Sequence, residues 1–445
     1  MSTRWRTSAI VGIMALLVAA CSGGGASTAP SVAASASAPA PSTAASAAPS
    51  EAAGEPVTIE WWHITTGDPG KSDFQAIADA YTAANPNVKI NITVLENEAF
   101  KTKLSTTAAA DIPDLFQSWG GGIMAAQAEA GLLKDITADI ADWKDTINAG
   151  GLSIYQYDGV QYGVPWDMGM IGFWYNKALF EQAGITAPPA SWDEYLAAVQ
   201  KLKDAGIEPL AIAGKDKWPS MHLWSYLLLR IGGGDTLSQM IQSGDWNTDA
   251  CIKAGEEVVK LNALEPYQAG YKSADYNAEA AAVGNGKAAM ELMGQWAPSV
   301  QRDQSADKQG LGDKLGWFAF PMVTGGAGAA TDGVGGGNGI AVGVNAPPEA
   351  IDFLKFFNNV ENQNKLNTDG VGLSTTVGTE STITDPNMQA VLDGRANATF
   401  MQLYLDQATS PAMGQAINDA TIALFLGEST PAEVCQAITA AAAAQ

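Results

Sequence analysis

The stretch VTIEWWHITTGDPGKSDFQAIADAYTAANPNVKINITVLE, residues 57–96, sets the fold class. Val57, Ile59 and Trp61 alternate with Thr58, Glu60 and Trp62, the two-residue period of a strand, and a polar turn follows. Phe74, Ile77, Ala78 and Tyr81 then recur at helical spacing until Asn85-Pro86 stops the helix. Val88, Ile90, Ile92 and Val94 alternate as a second strand, and the pattern returns at IPDLFQSW, residues 112–119. Strand, helix and strand in close succession make a βα unit, so the sequence predicts an α/β protein of mostly parallel sheets flanked by helices.

In such sheets ligands bind where the loops gather at the carboxyl ends of strands. Here those loops are rich in aromatic and small residues: WWHITTGD at 61–68, QSWGGG at 117–122, VPWDMGMIGFWYNK at 164–177, GKDKWPSMHLW at 214–224 and ELMGQWAP at 291–298. Of the 13 tryptophans, Trp143, Trp192, Trp246 and Trp317 have the apolar neighbours of core residues. Trp119, Trp166, Trp218 and Trp296 stand beside Gly, Asp, Lys or Gln and read as loop residues facing a ligand.

Between Cys21 and residue 57 nothing in the sequence can fold. Arg4 and Arg6 precede an apolar run from Ile10 to Ala20 that ends in LVAAC, the order of an export signal, and the run is too short for the roughly 20 residues that span a bilayer. LVAAC is similar to the bacterial lipobox, which makes Cys21 the lipidated first residue of the mature chain. Residues 21–55 are almost entirely Ala, Ser, Pro, Gly and Thr; with little apolar surface to bury, they read as a tether reaching about 30 Å. The remaining chain is too long for one core and implies two domains.

Several chemistries are excluded. The whole chain has 24 Lys and Arg against 47 Asp and Glu, a net charge of −23, which repels nucleic acid. His63 and His222 are the only histidines, and Cys251 and Cys435 the only cysteines beyond Cys21, so no zinc-ligand spacing exists. GNGKAAM at 284–290 has Ala288 where a phosphate-binding loop needs Ser or Thr, and GGAGAATDGVGGGNG precedes a strand and opens no helix. No catalytic residue, metal or cofactor is expected.

Four motifs taken together carry a resemblance. YGVPWDMGMIGFWYNKALFEQAGITAPPASWDEYLAAVQKLKDAGIEPLAI at 162–212, VGNGKAAMELMGQWAP at 283–298, GGGNGIAVGVNAPPEAIDFLKFFNNVENQ at 335–363 and the closing QLYLDQATSPAMGQAINDATIALFLGESTPAEVCQAI at 402–438 resemble the extracellular solute-binding proteins of bacterial ABC importers, in the sugar and oligosaccharide branch. The ending is similar to binders of plant-derived or α-galactoside oligosaccharides.

The resemblance implies a two-lobed clamp of the periplasmic-binding-protein type II class, with a hinge of several crossings. Its first lobe would comprise 56–166 and 320–372, its second 167–319 and 373–445, after a signal at 1–20. It also implies a sugar ligand, delivery to ABC permease subunits, a monomer, and an anchor at Cys21 on the extracellular face of the membrane. A pyranose stacks its C–H face on tryptophan and directs its hydroxyls at carboxylates and amides. The residues assigned to that role are His63, Asp68, Trp119, Gly120, Trp166, Asp167, Trp218, Trp296, Gly337, Asn338, Tyr404 and Asp406; for the acids and Asn338 a capping or turn role is the alternative. Cys251 and Cys435 fall in the same lobe by this resemblance, as a disulfide or as two buried thiols. A glycoside hydrolase, which also pairs acids with tryptophans, and an adhesive carbohydrate-binding lipoprotein are the rival functions.

Overall fold

Strand, helix and strand form at Val57–His63, Gly70–Ala84 and Val88–Val94 in the computed structural model, which describes residues 55–445. The expected signal, Cys21 and nearly all of the expected tether lie outside the described residues. The first helix buries Phe74, Ile77, Ala78 and Tyr81 as its spacing requires, with Phe74 stacked on Trp61 at 5.3 Å between ring centres. Its chain turns at Asn85, because the following proline has no N–H to continue the ladder.

One sheet holds, in order, Val88–Val94, Val57–His63, Leu115–Ser118, Gly339–Val342 and Gly163–Pro165. A second holds Leu315–Phe318, Gly172–Asn176, Ala288–Met293 and Glu208–Leu210. A third holds Met401–Leu403, Gly333–Gly336 and Gly169–Met170, of which the last two fall in the chain path between strands of the first two sheets. The sheets are mixed, where the sequence predicts mostly parallel ones. Strand Gly339–Val342 runs against both neighbours, and Gly172–Asn176 does the same in the second sheet. Each of these strands enters its sheet from the crossing end, where its neighbours leave, so it must run the opposite way.

Two large apolar cores follow. Ile59, Trp61, Leu115, Ile340 and Phe353 belong to one; Phe173, Trp192, Trp224, Leu292 and Ile417 to the other. The chain passes between them at 166–168, at 337–338 and beyond Val371, which lies in the first core, whereas Leu373, Ile383 and Met388 pack with Met170 and Trp174. The return to the first lobe thus falls at 337–338 and not at 320. Phe320 and Val334 pack in the second core, and the buried Arg230 guanidinium explains why: it donates to the carbonyls of Phe320, Pro321, Ala329, Ala330 and Asp332 at 2.7–3.4 Å. A glycine-rich segment without apolar pattern is held by its backbone oxygens, which leave no mark in the side-chain sequence.

Arg230 sits on helix Trp218–Ser243, so Trp218 opens a helix and is not a loop residue. Trp143, Trp192 and Trp246 are buried; Trp317 is half-buried at the edge of its core. Cys251 on helix Asp249–Asn262 and Cys435 on helix Pro431–Ala443 are joined through their sulfurs, with Cα atoms 6.1 Å apart.

Candidate functional site

The carboxyl end of strand Val57–His63 runs into the turn Ile64–Gly67, and this turn forms one wall of a cleft of about 190 Å³. Trp119, after strand Leu115–Ser118, and Trp166, at the first crossing, stand on the same side. Trp218, Tyr276, Trp296 and Tyr404 face them from the second lobe. The lining therefore comes from both lobes and from the crossings between them.

Eight of the residues named from sequence line this cleft: Asp68, Trp119, Trp166, Trp218, Trp296, Asn338, Tyr404 and Asp406. Trp119 packs its edge on Phe100 at 6.1 Å and has the Lys101 ammonium 5.5 Å from its centre. Trp296 is half-buried at the start of helix Ala297–Gln304, and Tyr404 meets it at the end of the third sheet. Asp68 is exposed at the rim, where its carboxylate accepts from the Ser72 hydroxyl and N–H at 2.6 and 3.1 Å, which holds it below the usual carboxylate range. From the position before the N-cap Pro69 it holds a first-turn N–H of the helix as well as facing the cleft.

The other four do not line it. His63 is buried between Trp61 and Phe74, and its Nδ1 accepts from the N–H of Thr65 at 3.2 Å. Burial, helped by nearby Lys71, lowers its pKa to about 4, so the ring is neutral and shapes the turn from behind. Gly120 is buried at φ 68°, where a Cβ would stand 2.5 Å from the carbonyl of Ile154; it serves the entry to helix Gly121–Glu129. Gly337 has no room for a side chain, since a Cβ would lie 1.7 Å from the carbonyl of Asp167. Asp167 itself is fully buried among the crossings and is absent from the cleft lining. Adjacent residues of an extended backbone point to opposite sides, so Trp166 faces the cleft and Asp167 faces away.

Sequence reasoning missed His222, Lys101, Glu96 and Asn97, which all line the cleft. His222 lies four residues after Trp218 on one helix, hence on the same face, a spacing that could have found it. Burial lowers its pKa to about 4 although Asp406 pulls the other way, so it offers a neutral imidazole. Glu96 and Asn97 follow strand Val88–Val94 at the carboxyl end where such residues belong. Lys101 is the cation of this group, 3.1 Å from Glu98 and 3.8 Å from Asp406, so its charge is already met.

Six lining residues carry buried polar atoms without a hydrogen-bond partner among the described residues: Asn97 Oδ1, Trp166 Nε1, Trp218 Nε1, His222 Nδ1, Tyr276 Oη and Tyr404 Oη. Burial raises the Tyr404 hydroxyl well above its ordinary pKa, so it stays a neutral donor. Unpaired groups of this kind are costly in a folded protein unless a ligand or water uses them. Among the described residues no cluster of His, Cys, Asp and Glu could hold a metal ion.

The family model described as bacterial extracellular solute-binding protein matches residues 67–364. An uncharacterized ABC transporter extracellular-binding protein of Pyrococcus horikoshii is 28% identical over 54% of this chain and 56% of its own length. The multiple sugar-binding protein of Streptococcus mutans is 25% identical over 66% of each chain. The matched stretch thus spans less than two thirds of either relative. A solved structure from work on xylan utilization by the thermophilic bacterium Caldanaerobius polysaccharolyticus superimposes with a TM-score of 0.81 at 26% identity, covering 86% of this chain and 99% of that one. The family match runs through the first two crossings and both walls of the cleft, and the chain belongs to the bacterial extracellular solute-binding proteins.

Proposed function

We propose that the protein captures a neutral sugar, an oligosaccharide, between its lobes and passes it unchanged to an ABC importer. The observation that carries this reading is the combination, in one cleft, of aromatic faces with six buried and unpaired hydrogen-bonding atoms. A sugar ring has apolar C–H faces for the first and hydroxyls, donor and acceptor at once, for the second. The charges disfavour an anionic ligand, because Asp68, Glu96, Asp303 and Asp406 line the cleft against Lys101, which already has acidic partners. The name of the Streptococcus mutans relative and the xylan setting of the solved structure agree with a carbohydrate.

The lobes would follow the two cores, with crossings at 166–168, 337–338 and after 371, and the chain would act as a monomer tethered to the membrane through lipid on Cys21. A thermal-shift screen with di- to tetrasaccharides tests the reading. A sugar at 100 times its dissociation constant adds about 2.7 kcal/mol of stability. Chromatography of the recovered sugar must show it intact; fragments accumulating in proportion to protein would transfer the reading to a hydrolase. No response to any sugar in the screen would remove it.

A further inference from the structure

The Asp167 carboxylate accepts three hydrogen bonds, and they come from three separate parts of the chain. Leu373 donates its backbone N–H at 2.7 Å, Asn338 its Nδ2 at 2.8 Å and Gln295 its Nε2 at 2.6 Å. Asp167 stands on the first crossing, Asn338 on the second and Leu373 just past Val371 on the third. Backbone bonds repeat the tie: Asn338 N to Asp167 O at 3.0 Å, Trp166 N to Asn338 O at 2.9 Å, and Met168 N to Leu373 O at 2.9 Å. Glycines make the approach possible, since a Cβ on Gly372 would lie 2.9 Å from the Asp167 carboxyl group, as one on Gly337 would meet its carbonyl.

Asn338 is fixed at both ends of its amide. While Nδ2 donates to Asp167, Oδ1 accepts from Nε2 of Gln117 at 2.8 Å, on strand Leu115–Ser118 of the first sheet. A chain of side chains, Gln117, Asn338, Asp167 and Gln295, therefore runs from the first sheet through the crossings to the residue beside Trp296. Asn338 and Trp296 both line the cleft.

We propose that Asp167 is a positioning residue for ligand capture: its carboxylate knots the three crossings so that the lobes move about one axis, and holds the Asn338 amide against the cleft. The inference rests on the sugar-clamp reading for what is captured, but the knot can be examined without any sugar.

All three partners of the carboxylate are donors, so the arrangement suits the ionised acid. Burial acts against this and raises the pKa of Asp167 to about 6; the Leu373 N–H, Gln295, Asn338 and the Arg395 guanidinium oppose the rise. Arg395 approaches from helix Pro386–Ala396, with Glu380 acting on it in turn. Tyr155 and Tyr404 feel the same carboxylate, and burial keeps both neutral far above pH 7. Asp167 is therefore the group of the knot that titrates between pH 5 and 7. A proton there meets neighbours that already present hydrogens, and the Asn338 tie weakens.

Asp167→Asn keeps the shape and removes the charge. Tryptophan fluorescence with raffinose and with xylotetraose, at pH 7.5 and 5.5, and small-angle scattering without sugar are measured on both proteins, with Gln295→Met as a milder second variant should Asp167→Asn fail to fold. The expected result is a variant that melts cooperatively, binds about tenfold more weakly at pH 7.5, the scale of one charge-assisted hydrogen bond, and loses the wild-type weakening between pH 7.5 and 5.5. Its distribution of interatomic distances without sugar should be broader than that of wild type. Unchanged affinity, or a pH profile and scattering curve that match wild type, would overturn the proposal. If wild type binds neither sugar, the offered ligand class fails, and scattering alone then decides the knot: unequal curves keep it and equal ones remove it.

Discussion

Trp296 meets Tyr404 edge to face, with ring centres 6.0 Å apart and planes at 85°, so the start of one helix and the end of the third sheet share a single aromatic wall. Tyr404 is buried and Trp296 only half so, which leaves the indole the more accessible face.

Trp296→Ala should weaken sugar binding by about thirtyfold or more, the roughly 2 kcal/mol of an aromatic anchor. The sugar-free protein should melt close to wild type, because a half-buried cleft residue supports little of the core. Isothermal titration and melting of the same variant separate the roles. A fall of about 3–5 kcal/mol in folding stability with affinity intact is what a core tryptophan would give, and it would take Trp296 out of the site.

Glu279 on helix Tyr276–Gly284 and Glu291 on strand Ala288–Met293 are both buried, and Gln301 donates to Glu291 at 2.5 Å. Burial raises both acids, Glu291 to about 7 and Glu279 well above its usual value, with the facing carboxylates adding to the rise on Glu279 and Asp216 contributing. An acid raised on folding binds its proton more tightly in the folded state, so stability declines as pH climbs from the unfolded value near 4.5 through about 7. The two histidines, lowered to about 4, act in the opposite sense but only below their ordinary 6.5. The melting temperature should therefore fall between pH 6 and 8, and Glu291→Gln should flatten that slope. A melting temperature rising over this range would contradict the assignment.

Cys251 and Cys435 should be unreactive toward thiol reagents in the denatured, unreduced protein. Replacing both by Ser should cost about 2–4 kcal/mol of stability, the common range for a native disulfide. Two reactive thiols at these positions, found by mass spectrometry of the labelled peptides, would mean that they are separate.

Cys21→Ala should leave the protein exported yet free of the membrane, because acyl chains on that sulfur are the proposed anchor. Cell fractionation decides it, and equal retention of variant and wild type would refute lipidation.

The fold class was legible because its first unit is periodic: the apolar positions of 57–94 define strand, helix and strand. Strand direction was not, since whether 339–342 enters from the crossing depends on where the chain returns. The return itself was misplaced because Arg230 holds 320–332 through backbone oxygens common to every residue. In the site, aromatic residues in loops were visible as candidates. Asp167, by contrast, read as a sugar-binding residue alongside Trp166, and only the alternation of an extended chain shows that the two face apart. His63 and His222 illustrate a similar limit: one shapes the turn from behind and the other lines the cleft, and only the spacing of His222 four residues after Trp218 separates them.

The bond between Cys251 and Cys435 closes a covalent ring that contains the second and third crossings and the whole excursion through the first sheet between them. A protease that cuts once anywhere inside that ring, in the glycine-rich 325–337 segment for instance, leaves two pieces still attached. Such a nicked molecule would run as an intact chain on a gel without reductant and separate only when the bond is reduced. Survival of the full-length band under oxidising conditions is therefore no measure of how well the crossings resist cleavage.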